Sequence, residues 1–282
     1  MKNKILTALI CSACCLNAYA ENQDEHKFYL GAETTYAMSL SAGMDVNNTQ
    51  QPASGFTFDY SPSGWDSKLS NTFGYGILAG YNLSDIFALE LAYNSRPSFK
   101  YEKFQNAVNA SGTVQDRTRY FDLQNNIILV NGVIHLASVF DILKTFKDKS
   151  RLSPFINLGV GLAKNKVTNF HTYVNSGTVN GGASSSGAIV SKMADKTVYK
   201  LAAQAGLGLN YDITTRWAIK AGYRFIYGGK FETQNYIQDD PDVLHSNGAG
   251  NDRLPGSGNA AFPWKGTLKA NEVYLGLTYS LS

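Results

Sequence analysis

Large apolar and aromatic side chains recur at every second position in eight separate segments of the chain, the first at 28–40 and the last at 273–281. A period of two puts alternate side chains on opposite sides of an extended backbone, so each segment predicts a strand with one apolar face. In the first, Phe28, Leu30, Ala32, Tyr36, Met38 and Leu40 oppose Gly31, Glu33, Thr35 and Ser39. Segments 73–83, 86–95, 155–164, 198–211 and 217–227 repeat the rule, with glycine, alanine, asparagine and a few charges on the minor face. Segment 121–136 is less regular: Ile128, Val130, Ile134 and Leu136 face one way, Asn131 and His135 the other. The last sets Val273, Leu275, Leu277, Tyr279 and Leu281 on its apolar side and ends one residue before Ser282.

Segments of about ten residues match the roughly nine to eleven that a tilted strand needs to cross a bilayer. Backbone in lipid must be fully paired, and strands achieve that only by closing into a barrel. A soluble lipocalin-like barrel also alternates, but it turns its apolar face inward around a ligand. Two features oppose that reading. Aromatics (Phe28, Phe73, Tyr81, Phe87, Tyr93, Trp217, Tyr227, Tyr279) stand toward the ends of the apolar faces, where interfacial girdles belong, and the minor faces are too small to line an apolar pocket. The expected fold is therefore all-β: an eight-stranded antiparallel transmembrane up-and-down β-barrel with long extracellular loops. A ten-stranded barrel, with one long loop adding a hairpin, fits the same pattern.

The connections support this by alternating in length. Ser84-Asp85 and residues 212–216 are tight turns, whereas 41–72, 96–120, 165–197 and 228–267 are long. Short periplasmic turns and long outer loops are the usual asymmetry of such barrels. One connection on the short side is oversized, 137–153, where Val139, Ile142, Leu143 and Phe146 follow helical spacing beside Lys144, Lys147, Lys149 and Arg151. An interfacial helix and an extended turn both fit it.

Residues 1–20 carry Lys2 and Lys4, an apolar run from Ile5 to Leu16, and Ala18-Tyr19-Ala20 before Glu21. That is the layout of a cleaved signal peptide, and the run is too short to span a membrane as a helix. The domain division is then signal 1–20 and barrel 21–282. Cys11, Cys14 and Cys15 all lie in the signal, so the mature chain offers no disulfide or thiolate. Processing removes two lysines and no acid, leaving 23 basic against 22 acidic residues, a balance that predicts no nucleic-acid partner.

Several stretches together, Gly80-Tyr81-Asn82-Leu83, Ala88-Leu89-Glu90-Leu91-Ala92-Tyr93, 154–161, Gly222-Tyr223-Arg224-Phe225 and 271–279, give the chain a resemblance that covers nearly all of its mature length. It resembles the small outer-membrane β-barrel superfamily that includes opacity-type proteins and the surface antigens of rickettsia-like bacteria. The resemblance implies an eight-stranded barrel with exposed loops, residence in the bacterial outer membrane, and roles in host contact, immune exposure or envelope integrity. It brings no catalytic residues. Such barrels normally end in an aromatic residue read by the assembly machinery, and here Leu281 takes that place.

Candidate chemistry concentrates on the minor faces. Glu33, Glu90, Lys220 and Arg224, with Asn131 and Gln204, all fall there. The lumen of an eight-stranded barrel is filled by side chains, so these charges must pair as a polar plug or line a narrow ion path. Enzyme chemistry lacks a constellation: His26, His135, His171 and His245 belong to no metal-ligand or triad pattern, and no metal or cofactor is expected. The long loops mix Gly, Ser and Asn with aromatics, of which Trp65, Tyr101, Phe104, Tyr173, Tyr236 and Trp264 are candidate anchors for a partner. Packing of these rings against one another fits equally. The functional expectation is a monomeric surface antigen in host contact or adhesion, meeting outer-membrane lipids, the assembly machinery and a host-surface protein or matrix; a small porin is the alternative.

Overall fold

A computed structural model describes residues 27–44, 56–58, 68–109, 114–176, 187, 189–235 and 263–281. Eight long strands form the wall: β1 Phe28–Ser39, β2 Thr72–Asn82, β3 Phe87–Asn109, β4 Val114–His135, β5 Leu152–Ser176, β6 Lys196–Asp212, β7 Trp217–Glu232 and β8 Lys265–Ser280. Each pairs antiparallel with its neighbour in sequence, and β1 pairs with β8 from Tyr29↔Ser280 to Ser39↔Ala270, which closes the ring. Two short strands, Phe56–Phe58 on β3 and Ile189–Met193 on β5, widen the sheet locally without adding to the ring. Residues 1–20, the expected signal, lie outside the described residues, as do Trp65 and Tyr236.

The alternation decides which way each residue points. Leu30, Ile77, Leu91, Val130, Leu158, Leu207 and Leu275 are exposed on the outside, while Glu33, Glu90, Asn131, Asn157, Gln204 and Lys220 are buried inside. Apolar outside and polar inside is the arrangement lipid demands. Cross-strand aromatic pairs edge this band. Phe28–Tyr81 and Trp217–Tyr279 stand at the turn end, with ring centroids 4.6 and 4.7 Å apart, and Tyr36–Phe73 at the other, 4.9 Å apart. Phe28 and Tyr36 are about 26 Å apart along β1, or about 20 Å along the membrane normal after tilt, close to the apolar height of such barrels.

Both tight turns use the same device. Ser84 Oγ accepts a hydrogen bond from the Phe87 amide (3.1 Å) and Thr214 Oγ1 one from the Trp217 amide (3.0 Å). A hydroxyl that satisfies turn amides replaces the missing ladder partners. The oversized connection is a helix, α1 Asp141–Ser150, which stops where Arg151 adopts a left-handed conformation (φ 59°). Lys147 and Lys149 fall in its last turn, favourable to the helix dipole, and Ile142 is 81% exposed. Leu136 opens a short 3₁₀ turn, so β4 ends at His135 and the strand expected through 136 is one residue shorter.

The long connections are corrected more substantially. Most of 96–120, the first part of 165–197 and both ends of 228–267 continue the strands, so that β3, β4 and β5 run 23, 22 and 25 residues. At about 3.3 Å per residue they rise far beyond the lipid band. The cause is an inversion of polarity above the membrane, where a sheet faces water outside and apolar side chains inside. On β4 the outward row passes from Ile128 to Asn126, Gln124, Asp122 and Tyr120, while Leu123 and Phe121 turn inward. On β3 a register shift between Arg96 and Phe99 moves the inward phase from even to odd positions, so that Phe99 and Tyr101 turn inward. Apolar residues thus change face within one strand, which hides the strand from a search for a single continuous face.

Recovery in the outer-membrane fraction, with an unboiled form that runs faster in detergent gels than the boiled one, is the expected result for this fold. Recovery as a soluble periplasmic protein would contradict it.

Candidate functional site

The lumen is filled in layers. Near the turn end, Ala88, Val133, Phe155 and Tyr274 pack with Tyr29, whose ring lies across Gly80, where a Cβ would collide with it. Above them sit the charges. Lys220 Nζ donates to Glu90 Oε1 at 2.5 Å, Tyr29 Oη donates to the same oxygen at 2.9 Å, and Lys220 stands 4.9 Å over the Phe155 ring. Arg224 Nε donates to Glu272 Oε2 (2.7 Å), its Nη2 donates to Asn94 Oδ1 (3.2 Å), and its guanidinium lies 4.8 Å over Tyr274. Arg224 Nη1 also approaches Glu33 Oε1 to 2.7 Å, a charge contact without the alignment of a hydrogen bond. Gln204 Nε2 donates to Asn131 Oδ1 at 2.8 Å.

Two charged members of this network escaped the sequence reading. Arg96 grips the Glu272 carboxylate with Nε and with Nη2 (2.9 Å to Oε2), and donates from Nη1 to Asn125 Oδ1 at 3.1 Å. Asn125 in turn donates to Asn165 Oδ1 (2.6 Å), and Asn165 donates to the carbonyls of Gly228 (2.8 Å) and Lys230 (3.0 Å). The signal was present. Running the inward phase of Ala88, Glu90 and Ala92 forward reaches Arg96, and running that of Tyr274 and Gly276 back reaches Glu272. Arg96, Lys220 and Arg224 thereby balance Glu33, Glu90 and Glu272, and all six are buried.

Ile127, Leu129, Ala163, Ala202 and Ile226 form an apolar layer at the middle of the wall. Phe99, Tyr101, Phe121, Phe170, Phe231 and Trp264 fill the upper barrel with Leu69, Leu123, Val167 and Leu268. Phe121 stacks on Tyr101 (4.8 Å), and Trp264 meets Tyr101 edge-on at 5.9 Å beneath the Arg119 guanidinium. Tyr101 and Trp264 are therefore corrected as partner anchors: both are buried, because above the membrane the apolar face is the inner one. Of the loop candidates, Tyr173 remains on the outer side, and Phe104 lies on β3 opposite Thr118.

The outer side of the tall wall gathers a second set. Register places Glu102, Tyr120 and His171 in one row across β3, β4 and β5, with Tyr173 one step further out. The His171 ring lies 5.0 Å from Tyr120 and 6.1 Å from Tyr173, and Tyr173 Oη donates to Glu102 Oε1 at 3.2 Å. Asp122 accepts hydrogen bonds from Tyr120 Oη (2.9 Å) and Ser98 Oγ (3.0 Å). Partial burial, then this bond to Asp122, pushes the Tyr120 phenol up to about 12, so it stays a neutral donor. Among the described residues no group of three or more His, Cys, Asp or Glu side chains could hold a metal ion.

A closed antiparallel ring with an apolar exterior, aromatic edges and a charged interior defines the class as a membrane-spanning β-barrel. The chain belongs to the outer-membrane β-barrel family, whose description, outer membrane protein beta-barrel domain, matches residues 6–280. No curated protein matches the sequence. Among solved structures it is similar to Neisserial surface protein A (12% identity, 90% of this chain and 97% of that one, TM-score 0.41). It is also similar to the outer membrane protein OprG from Pseudomonas aeruginosa (9% identity, 92% and 100%, TM-score 0.42). A third is the attachment invasion locus protein Ail of Yersinia pestis (10% identity, 88% and 98%, TM-score 0.32).

Proposed function

We propose that this outer-membrane barrel is an exported, monomeric surface antigen acting in host contact or adhesion, with the membrane-embedded ring as a rigid mount and the outer face of β3–β5 as the contact surface. The observation that carries the reading is the pairing of a filled lumen with strands that continue far above the lipid band. A wall that transports nothing has no need of such height, whereas a binding surface gains reach and rigidity from it. Tyr173, Tyr120 and His171 offer amphipathic rings already fixed by a sheet, so less side-chain entropy is lost on binding a host-surface protein or matrix.

The Tyr120→Ala, His171→Ala, Tyr173→Ala triple variant should fold, reach the surface and bind host cells or matrix at least about tenfold more weakly, as expected for loss of interface hot spots. Unchanged binding by cells displaying normal amounts of the variant would remove this surface from the function. The porin alternative is tested in parallel in planar bilayers. Wild type should show no steady channel, and stable conductance would favour transport of ions or small solutes instead.

A further inference from the structure

The ladder between β6 and β7 is unfinished. It runs from Asp212↔Ala218 to Ala203↔Tyr227 and stops, although β6 continues up to Lys196 and β7 to Glu232. Gly228 and Gly229 cause the break: both stand opposite Leu268 in a bulge, and Gly229 has φ +78°. A Cβ there would lie 2.8 Å from the Leu201 carbonyl oxygen and 2.8 Å from the Lys200 Cβ, so only glycine lets the two strands approach in this way. Side chains hold the seam instead: Asn165 caps the Gly228 and Lys230 carbonyls, Lys196 Nζ lies 3.7 Å from Glu232 Oε1, and Gln234 donates to the Asp195 carbonyl.

Lysines surround this seam. Lys164 on β5, Lys230 on β7 and Lys269 on β8 are exposed on the outward rows, with Lys164 opposite the exposed Tyr199 of β6 and Lys269 opposite Tyr227 of β7, whereas Lys200 pairs with the buried Ala163 and belongs to the inward row. Directly below them the surface is lipid-facing, with Leu201 75% exposed and Leu162, Phe225 and Val273 beside it. None of the three has an ion-pair partner among the described residues, whereas Lys166 and Lys196 close by are paired with Asp195 and Glu232. The other half of the ring is different at this height. There β1–β4 show Tyr36, Phe73, Tyr93 and Asn126, the last two hydrogen-bonded to each other at 2.9 Å.

We infer that the β5–β8 face is a binding site for a phosphorylated lipid of the outer leaflet, its acyl chains on the apolar wall and its phosphates among Lys164, Lys230 and Lys269. Adjacent strands lie about 4.8 Å apart, so four strands spread these ammonium groups over roughly 15 Å, wide enough for a headgroup bearing two phosphates. Ammonium groups at the headgroup level are attracted to lipid phosphate within a Debye length, and confinement to one side makes this a site rather than a uniform collar.

The test is native mass spectrometry of the purified full-length barrel with a diphosphorylated, acylated disaccharide lipid, with the same lipid lacking phosphates, and with inorganic pyrophosphate. The site predicts retention of the phosphorylated lipid only, weakened at least tenfold in the Lys164→Gln, Lys230→Gln, Lys269→Gln variant and preserved when the same three become arginine. Heat-dependent gel mobility checks folding, and a Lys230→Gln, Lys269→Gln double variant, in the same direction with smaller loss, serves if the triple change does not fold. Equal retention of the phosphate-free lipid, undiminished binding by the folded glutamine variants, or pyrophosphate displacing the lipid at matching concentration would overturn the proposal.

Discussion

Glu272→Ala is expected to destabilise the barrel by about 3 to 5 kcal/mol, the scale for removing one partner of a buried ion pair. Glu272 is fully buried and takes charge from both Arg96 and Arg224. Without it Arg96 keeps only the neutral Asn125 while Arg224 keeps Glu33 and Asn94, so one buried guanidinium is left without a carboxylate in a lumen too narrow to hydrate it. Arg224→Ala should act on the same scale by leaving Glu33 without its cation. Urea unfolding in lipid vesicles, followed by tryptophan fluorescence, measures both. Replacing the Arg96–Glu272 pair together by methionine and leucine should recover most of the loss, because a buried pair exchanged for apolar groups of similar volume is often neutral. A Glu272→Ala barrel within about 1 kcal/mol of wild type would show that water reaches these charges.

Phe121→Ala should cost about as much, 3 to 5 kcal/mol for a large ring removed from a packed core, but in a different part of the molecule. Phe121 is fully buried between Tyr101 at 4.8 Å, Phe231 at 6.1 Å and Phe170 at 6.2 Å, all above the lipid band. The cavity would loosen the upper wall while the lipid-embedded ladders keep their pairing. Limited proteolysis of whole cells should therefore cut β3–β5 at sites protected in wild type, with the unboiled gel mobility of the remaining barrel unchanged. Loss of that mobility would mean that the two parts unfold as one unit. The same core also limits loop surgery: replacing 165–197 or 228–267 whole would remove Phe170, Phe231 and Trp264, so shortening belongs within 177–186 and 236–262.

The sequence was most readable where lipid and lumen impose opposite demands. Between Phe28 and Tyr36, or Leu158 and Leu162, one face is apolar and the other small or polar, and strand, orientation and inward residues follow together. The reading failed where that contrast reverses. Phe99, Tyr101 and Phe170 look like ring-rich loop in a search for outward apolar faces, yet they are the inner face of the same strands in water. Arg96 and Glu272 sit at this reversal, so both were left in or beside a loop although their phase marks them as inward. Which carboxylate serves which cation was not readable at all, since it depends on stagger between strands distant in sequence. The row of Tyr120, His171 and Tyr173 needs that same register.

The pairing of β1 with β8 also sets an order of events. Seven of the eight ladders join strands adjacent in sequence, but Tyr29↔Ser280 bridges almost the whole chain and cannot form until the last strand has been made. Because Glu272 rides on β8, Arg96 and Arg224 have no shared carboxylate until that moment. An unclosed sheet would carry two bare guanidiniums into a medium that cannot solvate them, so half-built intermediates are penalised in the bilayer and the final zippering step gains a driving force. The charges at the centre of the tube thus act as a latch on its own manufacture, thrown by the strand that arrives last.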